Sequence, residues 1–140
     1  FRPGELLGLL RDQYDAATGC LVGGGKTAAG TNRTVTVSPK IKPTLDALAA
    51  KADPYIFPML NGGAMTDEHF RKYCFNPLMA FLGIKGKVPY SCRHTFANLL
   101  KNVTGSDTDK AALMGHADAS MTKYYQSADL QSLRAITNAL

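Results

Sequence analysis

Features that define several large protein classes are missing from this chain of 140 residues. Its three cysteines are far apart and form no CxxC pair, which argues against a disulfide framework and against a zinc site. No apolar run approaches the roughly 18 residues that a membrane-spanning helix needs. A signal peptide and an initiator methionine are also absent, so the chain reads as the continuation of a longer protein. We expect a cytoplasmic protein without a membrane partner, and further sequence before residue 1.

Acidic residues are fewer than basic ones, with 11 Asp and Glu against 16 Lys and Arg. The resulting net charge of +5 favours an anionic partner such as nucleic acid. Apolar residues make up 45% of the chain, which is ordinary for a globular protein and enough for a buried core. Repeats and low-complexity segments are absent. We therefore expect one domain over residues 1–140.

Hydrophobic periodicity and turn residues predict a mainly helical α+β fold with a small antiparallel sheet. A leucine-rich pattern predicts a helix over residues 4–14, and the alternation in residues 34–37 predicts a hairpin within 20–40. Further helices are expected over 40–52, from Thr66 to Gly83 with an interruption at Pro77, and after Pro89. The helix after Pro89 has a candidate buried stripe, formed by Cys92, Phe96, Leu99, Leu100 and Val103.

Two more helices are predicted near the C-terminus. Ser106 and Asp107 form a cap-like start, and Gly115 followed by His116 ends that helix. A last amphipathic helix is expected from about Asp129 to Leu140.

Three basic residues stand at boundaries of the predicted elements: Arg2, Lys26 and Arg93. A helix N-terminus offers free N–H groups, and a guanidinium beside it adds a fork that fits phosphate oxygens. Taken one at a time, each is more simply a solvated or ion-paired surface cation. The GGGKT segment is not a P-loop, because the glycine that this motif requires five positions before Gly25 is Cys20 and because a strand is expected to follow.

Histidines and tyrosines supply the other candidates. His94 lies in an apolar helix and is expected to be buried, whereas His116 follows a glycine that allows close backbone approach to a ligand. Neither has neighbours at metal-ligand spacing. Tyr124 and Tyr125 stand in a polar segment, and either phenol could act as a nucleophile if it were activated, since an unaided phenol is a poor one at neutral pH.

The order of these segments resembles that of the catalytic domain of tyrosine recombinases, the phage-integrase family, and especially integrases of conjugative transposons and phages. Arg2 with Glu5 in FRPGELLGL is similar to the family's first arginine segment, in which a following glutamate opens a helix. Lys26 in GGGKTAAGTNRTVTV is similar to the family's hairpin lysine.

The second half of the chain carries the other matching motifs. Arg93 in YSCRHTFANLL falls on the arginine of the His-x-x-Arg signature, and His94 begins the usual His-Thr-Phe-Ala continuation. His116 in LMGHADASMTKYY matches the Leu-Gly-His segment. The nucleophilic tyrosine of the family follows that histidine by nine positions, which points to Tyr125.

The resemblance implies metal-free cleavage and rejoining of DNA strands without a cofactor or ATP. Arg2, Arg93 and His116 would hold the scissile phosphate, Tyr125 would attack it, and Lys26 would protonate the leaving 5′-oxygen. The three phosphate-binding groups should then line a common basic cleft, with Lys26 nearby.

Partners and setting follow from the same resemblance. Double-stranded DNA would be the substrate, in the cytoplasm of a bacterium or of a phage-infected cell, and a homotetramer would assemble on it from protein that is monomeric as an isolated domain. The C-terminal helix could exchange between protomers or pack on its own domain. A chain that begins at the first arginine segment, without the family's preceding helices and DNA-embracing domain, would recombine DNA weakly or not at all.

One position departs from the family's pattern. Tyr90 stands where the first histidine of His-x-x-Arg is usual. The acid or base role of that histidine is therefore either taken over by the Tyr90 phenol or lost. This leaves two alternatives open: a DNA-binding module with a decayed catalytic centre, and an activity like that of type IB topoisomerases.

Overall fold

The fold is mixed α+β and mainly helical, as the sequence predicts. The computed structural model describes residues 1–25, 31–115 and 129–140. Its helices are α1 (Pro3–Leu7), α2 (Lys42–Ala49), α3 (Asp67–Phe70), α4 (Asn76–Phe81), α5 (Pro89–Leu100), α6 (Asp107–Met114) and α7 (Leu130–Asn138). A 3₁₀ turn covers Arg11–Gln13, a π-helical segment covers Arg71–Phe75, and the strands are β1 (Tyr14–Asp15), β2 (Cys20–Gly23) and β3 (Arg33–Thr36).

The first helix is shorter than its leucine pattern predicts, and the prediction is wrong beyond Leu7. Gly8 ends α1, and the chain then runs extended, with Leu10 bridged to Tyr55. The Ile56 N–H donates to the Leu9 carbonyl at 3.0 Å, and Leu9 itself is 1% exposed. Leu9 is therefore buried through a contact distant in sequence, which helical periodicity does not reveal.

The predicted hairpin is present as the inner pair of a three-stranded antiparallel sheet. Its register pairs Cys20 with Thr36 and Gly23 with Arg33. β1 adds a third strand that the sequence did not indicate, and the sheet order is β1-β2-β3. Gly23 and Arg33 pair at the end of the hairpin where its connecting segment begins and ends, and there Arg33 donates to Glu5 of α1.

Two apolar clusters hold these elements together. One lies between the sheet, α2 and the segment before α3, and its buried members are Leu9, Tyr14, Leu21, Val37, Leu45, Ala49 and Ile56. The other joins α5, α6 and α7, with Val35 of β3 packed against it, and contains Leu100, Ala112, Leu113, Met114, Leu133 and Ile136. The sheet thus ties both clusters to one scaffold.

The helix predicted from Thr66 forms, with the interruption expected near Pro77. The Thr66 hydroxyl caps α3 by accepting the His69 N–H at 3.1 Å. Proline has no N–H to donate back along the helix, and the turn before it widens into the π segment, in which the Asn76 N–H donates to the Arg71 carbonyl. Much of the apolar surface of this region stays exposed, and Phe81 is 86% exposed.

α5 buries only part of the predicted stripe. Cys92 and Leu99 are exposed, whereas Arg93 and Leu100 are buried. The inward positions follow the helical spacing 93, 96–97, 100, so Cys92 and Leu99 turn toward solvent and a charged residue takes a core position. The predicted stripe is therefore wrong at Cys92 and Leu99.

The last two helices agree with the sequence. The Ser106 hydroxyl caps α6 by accepting the Asp109 N–H at 3.0 Å, and Gly115 ends it in the left-handed region at φ 62°. In this structure α7 packs on its own domain, where the Thr36 hydroxyl donates to the Leu133 carbonyl at 3.1 Å. Among the helices of the described ranges, none has the length and hydropathy of a bilayer-crossing segment.

Candidate active site

Glu5 is the centre of a charged cluster at the start of α1. Its carboxylate accepts the Arg2 backbone N–H at 2.8 Å and the Arg2 Nη1 at 3.0 Å. A third bond comes from β3, since Arg33 Nη2 donates to the same carboxylate at 3.0 Å. The Glu5 side chain is 9% exposed and that of Arg33 is 6% exposed, so this pair is shielded from solvent. Two arginines from separate elements are fixed by one buried acid.

The surroundings of Glu5 keep it ionised. Burial alone would raise its pKa, but the hydrogen bond from the Arg2 backbone and the bond and charge of Arg33 outweigh burial and lower the pKa to about 2. The carboxylate is therefore a fixed negative charge at any physiological pH, and it offsets part of the positive charge around it.

Arg33 is a site residue that the sequence did not single out. Its guanidinium carbon lies 4.6 Å from the centre of the Phe1 ring. On another side it meets the end of α6, where a Cβ added to Gly115 would lie 2.9 Å from that carbon. The one feature of the sequence that could have indicated Arg33 is its position just before the Thr-Val alternation of the predicted strand. In the structure it pairs with Gly23 in the strand register. That sequence position could not distinguish an arginine turned inward from one in solvent.

Arg93 reaches the same cluster from α5. It is 7% exposed, and its Nη2 donates to the Met114 carbonyl, one residue before Gly115. Burial and then the charge of Arg2 lower the pKa of Arg93 from its ordinary value, and Arg33 adds to this effect. Tyr90 and Glu5 act in the opposite direction. An arginine remains protonated under such influence, so at least three positive charges are concentrated here.

Tyr90 and His94 form a contact at the start of α5. Their rings meet edge to face, with centroids 5.1 Å apart. The expectation that His94 is buried is wrong, because it lies on the exposed side of α5, one turn beyond Tyr90. Tyr90 is 42% exposed and contributes to the electrostatic surroundings of Arg93, so its phenol is accessible to a ligand.

An open cavity of about 700 Å³ lies beside this cluster. Its lining includes Arg2, Glu5, Gly24, Gly25, Arg71 and Tyr90. The cavity therefore joins the first arginine segment, the hairpin, the π segment and the start of α5. A polyanion placed in it would meet basic groups from several elements.

Lys26, His116, Tyr124 and Tyr125 lie outside the described residues, so their predicted roles stay predictions. The residue before Lys26, Gly25, lines the cavity, and the residue before His116, Gly115, contacts Arg33. Of the predicted phosphate-binding groups, the structure brings Arg2 and Arg93 into one cluster. Arg2 lines the cavity, whereas Arg93 is buried against the end of α6.

Comparisons with known proteins give a fold relationship. No protein-family model and no curated protein sequence matches the chain. Two solved structures of the Tn1549 transposon integrase are similar to it, one in complex with a circular intermediate DNA and one in complex with transposon right end DNA. Each has 20% sequence identity and a TM-score of 0.71, and the match covers 96% of this chain.

The match also covers 53% of the integrase chain, so this chain spans about half the length of the structures it resembles. The predicted resemblance to a transposon integrase is thereby confirmed at the level of the fold.

Proposed function

We propose that this chain is the catalytic domain of a site-specific DNA recombinase, an integrase that inserts or excises a mobile element. The observation that carries the proposal is the charged cluster of Arg2, Glu5, Arg33 and Arg93 beside the cavity. The fold shared with a DNA-bound transposon integrase supports it. Double-stranded DNA is the proposed substrate, because a cavity lined by arginines from separate elements suits a phosphodiester backbone.

Arg2 and Arg93 would neutralise the charge that builds up on the non-bridging oxygens of the scissile phosphate, together with His116. Such stabilisation is effective when the donors are held in place before the reaction begins. Glu5 supplies this restraint for Arg2 through two hydrogen bonds, at 2.8 Å and 3.0 Å. The Met114 carbonyl restrains Arg93 by accepting a hydrogen bond from its Nη2.

The chemical step would be an in-line displacement at phosphorus. The Tyr125 oxygen forms a bond to phosphorus while its proton passes to solvent water, the bond to the 5′-oxygen breaks, and Lys26 protonates that oxygen. The products are a 3′-phosphotyrosine and a free 5′-hydroxyl. Because the phosphodiester character is conserved, a 5′-hydroxyl from another strand can reverse the step without ATP or a metal.

Tyr90 would bind phosphate as a hydrogen-bond donor in place of the family's histidine. A phenol and an imidazole can both donate to a phosphate oxygen, but a phenol is not readily protonated near pH 7. We therefore expect DNA cleavage to depend on Lys26 and Tyr125 more than on Tyr90. A homotetramer on DNA is the proposed working assembly.

A nicked DNA substrate of the element ends tests this function on the full-length protein. Cleavage near the nick releases a short fragment, so the covalent intermediate accumulates and migrates slowly in a denaturing gel. We expect an adduct with the unmodified protein and with Tyr124→Phe, and no adduct with Tyr125→Phe.

Three other results would contradict the proposal. Adduct in Tyr125→Phe together with its loss in Tyr124→Phe would reverse the assignment of the nucleophile. Absence of adduct from the unmodified protein, with DNA binding retained, would indicate a binding module with a decayed centre. Relaxation of supercoiled DNA that lacks any element sequence would indicate a topoisomerase.

A further inference from the structure

We propose that Arg33 is a positioning residue that sets the spacing between Arg2 and Arg93, the two arginines proposed to hold the scissile phosphate. The inference rests on the proposed function and extends it to a residue of β3 that makes no proposed contact with DNA. It follows from what Arg33 contacts on each of its sides.

One side of Arg33 helps to position Arg2 through a shared hydrogen-bond partner, Glu5. Arg33 Nη2 donates to Glu5 Oε2 at 3.0 Å, and the same oxygen accepts the Arg2 backbone N–H at 2.8 Å. The other oxygen of Glu5 accepts Arg2 Nη1 at 3.0 Å. If Glu5 rotated or withdrew, both of these bonds to Arg2 would be lost. Arg33 therefore holds the carboxylate that holds Arg2.

Another side of Arg33 packs against the end of α6. This packing also affects Arg93, which is hydrogen-bonded to the same turn. Gly115 packs so closely on the guanidinium that an added Cβ would lie 2.9 Å from Nε and 3.0 Å from Nη1. The preceding residue, Met114, supplies the carbonyl that accepts Arg93 Nη2. A shift of Arg33 thus moves the turn against which Arg93 is fixed.

Burial and planarity make Arg33 suited to this role. The residue is 8% exposed, and the Phe1 ring lies over its guanidinium at 4.6 Å. A flat group can stack on a ring, pack against a glycine backbone and donate in its own plane at the same time. Lysine keeps the charge but has a tetrahedral head on a flexible stem, so it can pair with Glu5 without filling the space against Gly115.

The test uses Arg33→Lys in the full-length protein with the nicked DNA substrate. Misplacing catalytic groups by about 1 Å reduces rates by about 100-fold. We expect adduct formation at saturating DNA to slow by roughly 10- to 100-fold. The dissociation constant for DNA should change by less than about threefold, because Arg33 touches no phosphate in this account. Arg134→Lys is the matched control, since Arg134 is an arginine of α7 that donates to the Thr18 carbonyl, and it should react like the unmodified protein.

A double variant separates positioning from a general loss of structure. Arg33→Lys can keep the pair with Glu5 but loses the packing on Gly115, so Arg33→Lys combined with Gly115→Ala should react no more slowly than the slower single variant, because both substitutions disturb the same contact. Thermal unfolding measured in parallel gives the folded fraction of each variant. Multiplicative rate losses, or losses that only follow the unfolded fraction, would overturn the inference.

An NMR measurement in the absence of DNA distinguishes failure of this inference from failure of the proposed function. The arginine Nε–Hε signals of Arg2 and Arg93 should move in Arg33→Lys and stay in place in Arg134→Lys. Unmoved signals, or adduct formation at the unmodified rate, would refute the role of Arg33 while leaving the recombinase proposal intact. Moved signals in Arg33→Lys, together with no adduct from the unmodified protein, would instead refute the recombinase proposal, and with it the catalytic purpose of the positioning.

Discussion

Glu5 determines more of the site than its position next to Arg2 suggests. Its carboxylate receives donors from Arg2, which precedes α1, and from Arg33 of β3, at distances of 2.8 to 3.0 Å, in surroundings that are largely shielded from water. Removing one partner of a buried ion pair leaves the other charge unpaired and is more damaging than losing a surface pair. The carboxylate therefore stabilises the fold and positions the arginines together.

Replacing Glu5 by glutamine should destabilise the protein in a pH-dependent way. The folded state lowers the pKa of this acid from 4.5 to about 2, so its stabilising effect is complete above about pH 4.5 and is lost as the pH falls toward 2. At pH 7 we expect the free energy of unfolding to fall by about 1–3 kcal/mol, because buried charged partners lose a hydrogen bond. Urea unfolding at several pH values measures the difference between the two proteins.

The difference between Glu5→Gln and the unmodified protein should shrink as the pH approaches 2.5, since protonation removes the charge that the substitution removes. Glu68, an exposed acid of α3, provides the control. Glu68→Gln should stay within about 0.5 kcal/mol of the unmodified protein. A Glu5→Gln deficit that is the same at pH 7 and pH 2.5 would show that the carboxylate charge is not what matters.

The end of α6 depends on a single residue, Gly115. Gly115 has a φ of 62°, which an L-residue adopts only with strain, and its missing side chain leaves room for the Arg33 guanidinium. The conformation ends the helix, and the close packing joins that end to the sheet. These two contributions can be separated by mutation.

Gly115→Ala should lower the free energy of unfolding more than Gly83→Ala does. Gly83 follows α4 with a φ of 69°, and nothing lies within 4 Å of its added Cβ, so that variant measures strain alone, on the order of 1–2 kcal/mol. Gly115→Ala adds a clash with Arg33 at 2.9 Å. Equal unfolding midpoints in urea for the two variants would show that the contact with Arg33 is unimportant.

Helix ends that are determined by neighbouring residues were predicted correctly from the sequence. Thr66 and Ser106 cap their helices because their hydroxyls accept an N–H three residues on, and Gly115 ends α6 because it tolerates a positive φ. The extended path of Leu9 depends instead on a partner far along the chain, Ile56. Periodicity could not reveal that partner, so the first helix was predicted too long.

For the molecule as a whole, the order of the motifs indicated which distant residues lie together, whereas burial patterns did not, and the roles of these residues stay predictions. Arg2 and Arg93 are 91 positions apart in sequence and lie in one charged cluster, as their place in the family pattern indicates. Arg33 was not identified from the sequence as a member of this cluster, because an isolated arginine in a strand is ordinarily a surface residue. The opposite error occurred on α5, where apolar Cys92 and Leu99 are exposed and charged Arg93 is buried.

The whole chain shares its fold with a transposon integrase that is about twice as long as the matched part. Phosphate contacts supply much of the affinity of DNA-binding proteins, and a longer protein would supply more of them. We therefore expect residues 1–140 alone to bind DNA weakly and to lose that binding steeply as salt rises. A titration over salt concentration measures this, and tight, site-specific binding by residues 1–140 would contradict it.

The proposed recombinase activity stands or falls with the identity of the residue that becomes linked to DNA. After reaction with the nicked substrate, the adduct is digested with nuclease and protease, and the peptide that contains Tyr124 and Tyr125 is sequenced by tandem mass spectrometry. We expect a nucleotide attached through its 3′-phosphate to Tyr125, and no such adduct from Tyr125→Phe. A nucleotide on Tyr124 or on any other residue, or a cleaved DNA strand with no protein attached, would contradict it.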